Sequence, residues 1–192
     1  MKYDLVRDTL PEEIQFGAAL FLNEFDPETA SVKASAIRAA SSGGFSFKDT
    51  PEFGDAFEGI DHMPANTKEG KYIKSRSITC SGTFVTITPE VAKSAMAAAD
   101  IDVDGIKITP RDDLKDEDFE DFWIVADYSY NNGEEGGYMA VHMMNALSQD
   151  GFSWQTTDKA KGQFAINYMA HYSTKDIKKV PYEAYIKKAE VA

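Results

Sequence analysis

Apolar and polar residues alternate at a spacing of two through most of the second half of the chain. That period fits a pleated strand whose two faces meet different surroundings, and it does not fit a helix. In residues 138–147, Met139, Val141, Met143 and Leu147 fall on one face, with Tyr138, Ala140, His142, Met144 and Ala146 on the other. Residues 163–172 repeat the pattern, setting Phe164, Ile166, Tyr168 and Tyr172 against Gln163, Asn167 and His171. Segments 122–128 and 182–186 continue it with β-branched and aromatic residues, and 14–22 is a strand that is apolar on both faces. Asn131, Asn132 and Gly133, with Gly136 and Gly137, separate 122–128 from 138–147, which reads as an antiparallel hairpin. Turn residues at 149–151 and 158–159 mark the next connections. Short strands joined in this way predict a mainly β chain, an antiparallel sandwich or barrel.

Residues 72–88 break the rule of short strands. Seventeen residues pass without a proline, and in extended form they would span roughly 56 Å at about 3.3 Å each. The apolar phase shifts within the run, from Ile78, Cys80 and Phe84 to Val85 and Ile87, and Gly82 is the expected place for a bend or bulge. A strand of that length projects from a compact core and suits contact with neighbours. One flanking α-helix is expected over about 88–99. Thr88 can cap it, Pro89 fits its first position, Glu90 complements its dipole, and Val91, Ala95, Met96 and Ala99 form an apolar stripe. A helical turn is expected at 116–119. Residues 50–70 read as a long loop, because they hold Pro51, Gly54, Gly59 and Pro64. Phe53, Phe57, Ile60 and Met63 stud it, and four large apolar residues in a loop favour contact with another subunit. The whole chain, 1–192, is expected to be one domain, with 1–13 as an N-terminal arm.

With 43% hydrophobic and 12% aromatic residues the chain can bury a core, which excludes wholesale disorder. Twenty basic residues stand against 32 acidic ones, a net charge of -12. Such a surface disfavours nucleic-acid binding and attachment to anionic membranes, both of which depend on Lys and Arg. Residues 1–10 alternate charges with single apolar residues, unlike a signal peptide. No apolar run approaches the ~20 residues of a membrane helix. A soluble protein that folds in a cytoplasm is expected. Cys80 is the sole cysteine, and its strand-like neighbours point to a buried, inert thiol.

Candidate chemistry is sparse. Asp100, Asp102, Asp104 and Gly105 match the opening of a calcium-binding EF-hand loop, but its twelfth position, normally glutamate, is Arg111. An acidic turn is the simpler reading, with calcium a weak candidate. His142 and His171 could pair across a sheet, yet with His62 and Cys80 they do not make a zinc-ligand pattern. No nucleophile elbow is present, and Ser41, Ser42, Gly43 and Gly44 lead into a strand rather than the helix of a phosphate loop. No catalytic residues and no cofactor are expected. Trp123 lies in an apolar strand and reads as core. A carbohydrate-binding β-sandwich would need an exposed aromatic platform, for which Trp123 and Trp154 are the candidates.

Several stretches, in order from about 42 to 187, resemble the major tail (tail tube) proteins of long-tailed bacteriophages infecting Gram-positive bacteria. They include residues 42–47, 60–61, 64–69 and 81–86, then Asp118 and Phe119 with Asp121, Phe122 and Trp123. Asn145 to Ser148, Gly151 to Ser153, His171 to Ser173 and Val180 to Glu183 continue the series. The resemblance implies a β-sandwich with a flanking helix, polymerised as stacked hexameric rings around a channel. Genomic DNA would pass through that channel without sequence-specific binding. It implies a virion location, assembly in the host cytoplasm, and tape-measure, tail terminator and distal tail proteins as partners. The long loop, through Phe53, Phe57, Ile60 and Met63, would contact the neighbouring ring. Six acidic copies per ring would keep DNA from adhering to the lumen. The tube of a contractile phage or a phage-derived bacteriocin is the alternative within the structural class.

Overall fold

The computed structural model describes residues 14–128 and 137–188. The expected N-terminal arm at 1–13 and the turn at 131–133 therefore lie outside the described residues. The fold is mainly β, antiparallel throughout, with one flanking helix, as expected. In chain order the strands are β1 (Gln15–Leu22), β2 (Ile37–Ala39), β3 (Ser41–Asp55) and β4 (Lys71–Phe84). Helix α1 (Pro89–Ala95) follows, then the small hairpin of β5 (Ala99–Ile101) and β6 (Ile108–Pro110). The chain then runs through β7 (Glu120–Tyr128), β8 (Gly137–Ser148), β9 (Phe164–Ala170) and β10 (Tyr182–Lys187). The main sheet has the order β2-β1-β7-β8-β9-β4-β3, with β10 added on β8.

The two ends of that sheet are one stretch of chain. β2 and β3 are separated only by Ala40, whose carbonyl accepts from Val85 N at 2.8 Å and whose N–H donates to Thr86 Oγ1 at 2.8 Å. β2 pairs with β1 while β3 pairs with β4, so the sheet rolls over and closes on itself as a sandwich with barrel character. Phe21 of β1 sits at the centre. Its ring lies 5.5 Å from Phe45, 5.2 Å from Phe84, 4.4 Å from Phe122 and 6.0 Å from Tyr168. Those partners come from β3, β4, β7 and β9, so one aromatic cluster holds five strands together. A second cluster, with Leu22, Phe25, Trp123, Val125, Tyr138 and Ala140, covers the opposite face of β1, β7 and β8.

β8 departs from the expected one-sided burial: it is covered on both faces. It lies between β7 and β10 along Tyr138–Met143 and takes β9 as its partner at Ala146–Ser148. The change of neighbour is made by a bulge. Phe122 faces Met143 but Glu120 faces Ala146, and Asn145 has φ 49°. Asp121 Oδ1 accepts from Asn145 N at 2.8 Å and fixes the kink. Val141, Met143 and Ala146 thus line the main core, and Leu147 does not continue the face of Met143.

Three other expectations need correction. Helix α1 starts as expected, with Thr88 accepting from Val91 N, but ends at Ala95 rather than near 99. Ala97 takes φ 66°, the chain reverses, and Ala98 and Ala99 become buried while Ala98 O accepts from Arg111 N. The run at 72–88 is a strand only from Lys71 to Phe84, and its pairing with β9 passes Gly82 without a break. The bulge lies on the opposite strand, where Gly43 and Gly44 both have positive φ and are inserted between the pairs Ser41–Phe84 and Phe45–Gly82. Gly82 instead leaves room for a ring: a Cβ there would fall 2.6 Å from Phe45 Cδ1. Finally, 50–70 is not all loop, because residues as far as Asp55 belong to β3. Pro51 is tolerated since β3 is an edge strand.

Gly82→Ala is expected to push Phe45 out of the Phe21 cluster and to cost about 1–3 kcal/mol, as overpacking does. A urea melt at unchanged m-value reads this as a lower midpoint; an unmoved midpoint refutes the role given to Gly82.

Candidate functional site

Beyond Thr79, which pairs with Met169, β4 has no further partner in β9. β3 and β4 nevertheless stay paired from Asp49–Ile78 out to Asp55–Lys71. The result is a two-stranded arm that leaves the body and extends roughly 25 Å at about 3.3 Å per residue. Such a ribbon is marginal in water without extra ties. Here Tyr72 lies across Gly54, where a Cβ would fall 2.3 Å from the ring, so an aromatic side chain covers the glycine. Glu52 accepts from Ser75 Oγ at 2.9 Å and from Lys74 Nζ at 3.2 Å. Asp55 accepts from Phe57 N at 3.0 Å and pairs with Lys71 at 3.4 Å. The Phe57 N–H, with Lys71 assisting, holds the Asp55 carboxyl below its usual range.

At the tip the chain winds through successive tight turns. Ile60 N donates to Phe57 O and Met63 N to Ile60 O, each at 3.2 Å. Gly59 and His62 take positive φ between those bonds, and the turns bring Phe57, Ile60 and Met63 to one side. With Phe53 and Tyr72 they line a cleft of about 430 Å³. Phe53, Ile60 and Met63 are 61%, 51% and 40% exposed, while Phe57 is half-buried against Gly70. All four residues marked in the sequence thus meet at one place. Tyr72 and the neighbouring Ile73, also exposed, were missed. Their signal was a pair of large apolar residues on opposite faces at the start of the long strand.

Where the arm joins the body, Asp49, Arg76 and Tyr182 meet. Arg76 pairs with Asp49 Oδ2, and Tyr182 OH donates to the same oxygen at 2.9 Å. A second polar cluster ties α1 to the sheet. Arg38 pairs with Glu120, which accepts from Ser94 Oγ at 3.0 Å, and Ser94 shares a hydrogen bond of 2.9 Å with buried Tyr168. Within this second cluster each of these groups has a partner.

The remaining candidates fall in separate places. Asp100 pairs with Arg111 Nε at 3.0 Å and with Lys115, while Asp102 accepts from Ile106 N and Lys107 N at 3.0 Å each. The residue that replaces the EF-hand glutamate thus occupies the first carboxylate of the series, and Asp104 lies in the turn of the β5–β6 hairpin. His142 stacks on Trp123 at 4.2 Å, and burial pushes its imidazole below the usual range against the pull of Asp121 and Glu183. His171 sits elsewhere, against Phe119 and Asn145, so the two histidines do not pair. Among the described residues no three His, Cys, Asp or Glu side chains group as a metal site. Trp123 is buried as expected, whereas Trp154 is 64% exposed beside Phe164. No described helix is long and apolar enough to cross a membrane.

Set against known proteins, the chain matches no family model and no curated protein.

Cys80 is fully buried, and burial pushes its thiol from 9.0 up to about 12. A raised folded value means that the folded chain keeps a proton the unfolded chain releases. The associated stability is complete below pH 9 and is lost as pH rises towards 12. Cys80→Ala is expected to flatten part of the fall in stability over that window. Denaturant melts at pH 8 and pH 10 test this, and parallel losses in both chains would refute it.

Proposed function

We propose that this chain is the repeating subunit of a phage tail tube, stacked as hexameric rings around a channel for genomic DNA. The arm carries the reading: an ordered ribbon whose own contacts leave a cleft of Phe53, Ile60, Met63 and Tyr72 open at its tip. Large exposed apolar surfaces mark sites that another protein covers. In a ring or stack, a heterologous contact of this kind repeats from copy to copy. The net charge of -12 supports the same reading, since an acidic lumen gives phosphates no cations to displace. The tape-measure protein would occupy the lumen, and the terminator and distal tail proteins would close the ends. A contractile tube would use the same subunit design, and a sheath gene beside its own would distinguish it. The reading from another class is a sugar-binding module, favoured by exposed Trp154 alone.

Negative-stain microscopy of the concentrated chain is expected to show tubes of uniform width with an axial channel. Ile60→Asp with Met63→Asp should leave the monomer folded but raise the concentration needed for tubes at least about tenfold, given ~1.5–3 kcal/mol per large apolar side chain buried. A chain that stays monomeric at every concentration, and binds glycans through Trp154, would sink the tube reading.

A further inference from the structure

We propose that Asp49, Arg76 and Tyr182 set the direction in which the arm leaves the body, with Tyr182 as the positioning residue. The inference rests on reading the arm as the connector between copies. A two-stranded ribbon twists and swings unless something holds its base. β4 loses its second neighbour after the pair Thr79–Met169, and the cluster lies at that level. Asp49 faces Ile78 in the ladder and Arg76 is its diagonal neighbour, so both belong to the first turn of free ribbon. Tyr182 belongs to neither arm strand. It opens β10, which hangs on β8 through six consecutive pairs from Tyr182–Met143 to Lys187–Tyr138.

Its ring lies 5.2 Å from that of Phe47, two residues before Asp49, so ring and hydroxyl grip the same face of β3. The carboxylate is committed to this contact. Its side chain is 16% exposed, and the other oxygen, Oδ1, is buried without a hydrogen-bond partner. Rotation of the arm away from β10 would therefore break the hydroxyl bond and leave a buried charge with Arg76 as its remaining partner. Among the described residues, the ties further out run between the arm's own two strands.

The test measures direction on the dispersed chain. Spin labels are placed at Glu58→Cys on the tip and Lys161→Cys on the body, both exposed positions. Buried Cys80, with its thiol pushed up, stays unlabelled. The parent chain is expected to give one narrow distance distribution. Tyr182→Phe removes only a hydroxyl and should widen the distribution about twofold while circular dichroism stays unchanged, as loss of a local tie predicts. Asp49→Asn, which removes the charge that Arg76 holds, should widen it as well. Distributions that superimpose on the parent's in both variants would overturn the proposal. The distances are read on single chains, so failure to form tubes would sink the tube reading and leave this result to stand or fall by itself.

Discussion

Closure of the sheet is the constraint on which everything else depends. The stretch from Ile37 to Asp55 hydrogen-bonds to β1 at its start and to β4 through the rest. The ladder to β2 covers only Phe21 and Leu22 of β1, and β3 has β4 as its single ladder neighbour, so open edges remain along β1, β3 and β10. Closure also creates the interior into which Phe21 points, and the aromatic cluster around it in turn holds the strands at closing distance. Gly43 and Gly44 bend β3 just before Phe45, and Gly82 leaves that ring its place. Backbone geometry and core packing are here one requirement seen twice.

Polar side chains do a different task, and they do it at junctions. Arg38, Glu120 and Ser94 join α1 to the sheet, Asp121 pins the kink of β8, and Asp118 anchors Arg111 beneath the β5–β6 hairpin. Each lies where a regular element stops and the ladder no longer specifies what comes next. A hydrogen bond that is only partly solvated fixes geometry with little room for slippage, which apolar contact alone does not do. The chain thus uses apolar packing for cohesion and paired charges for angles.

The strands were legible because alternation is a local property: β7, β8, β9 and β10 stand close to where the period places them. The errors share a cause, which is that a distant residue changed the meaning of a local one. Pro51 and Gly54 are turn residues by themselves, but an edge strand accepts the proline and Tyr72 covers the glycine. An alanine run favours continued helix, yet the core required Ala98 and Ala99 beside Arg111. Asn145 falls inside the alternating run at 138–147, and its bond to Asp121 and its positive φ show it to be a corner. The four apolar residues of the arm tip could be marked from their composition, but not their convergence, which comes from the positive-φ turns at Gly59 and His62 folding the tip back over Phe53 of β3. The cluster of Asp49, Arg76 and Tyr182 draws on three strands, and no window along the chain contains it.

The arm also has a bearing on how the chain comes to be folded. Its strands are consecutive in the chain, joined through residues 56–70, so bringing them together costs less loop-closure entropy than the pairings of the body. The body is the reverse case: β1 must find β7, with Leu22 opposite Trp123, after most of the chain has been laid down. Contact order then places the part of the molecule that reaches furthest from the core among the earliest pieces able to form, and the seam at β1 among the last. Until that seam shuts, Phe21 and its ring of aromatics lack their lid. The chain is thus most exposed to wrong contacts between copies during that interval.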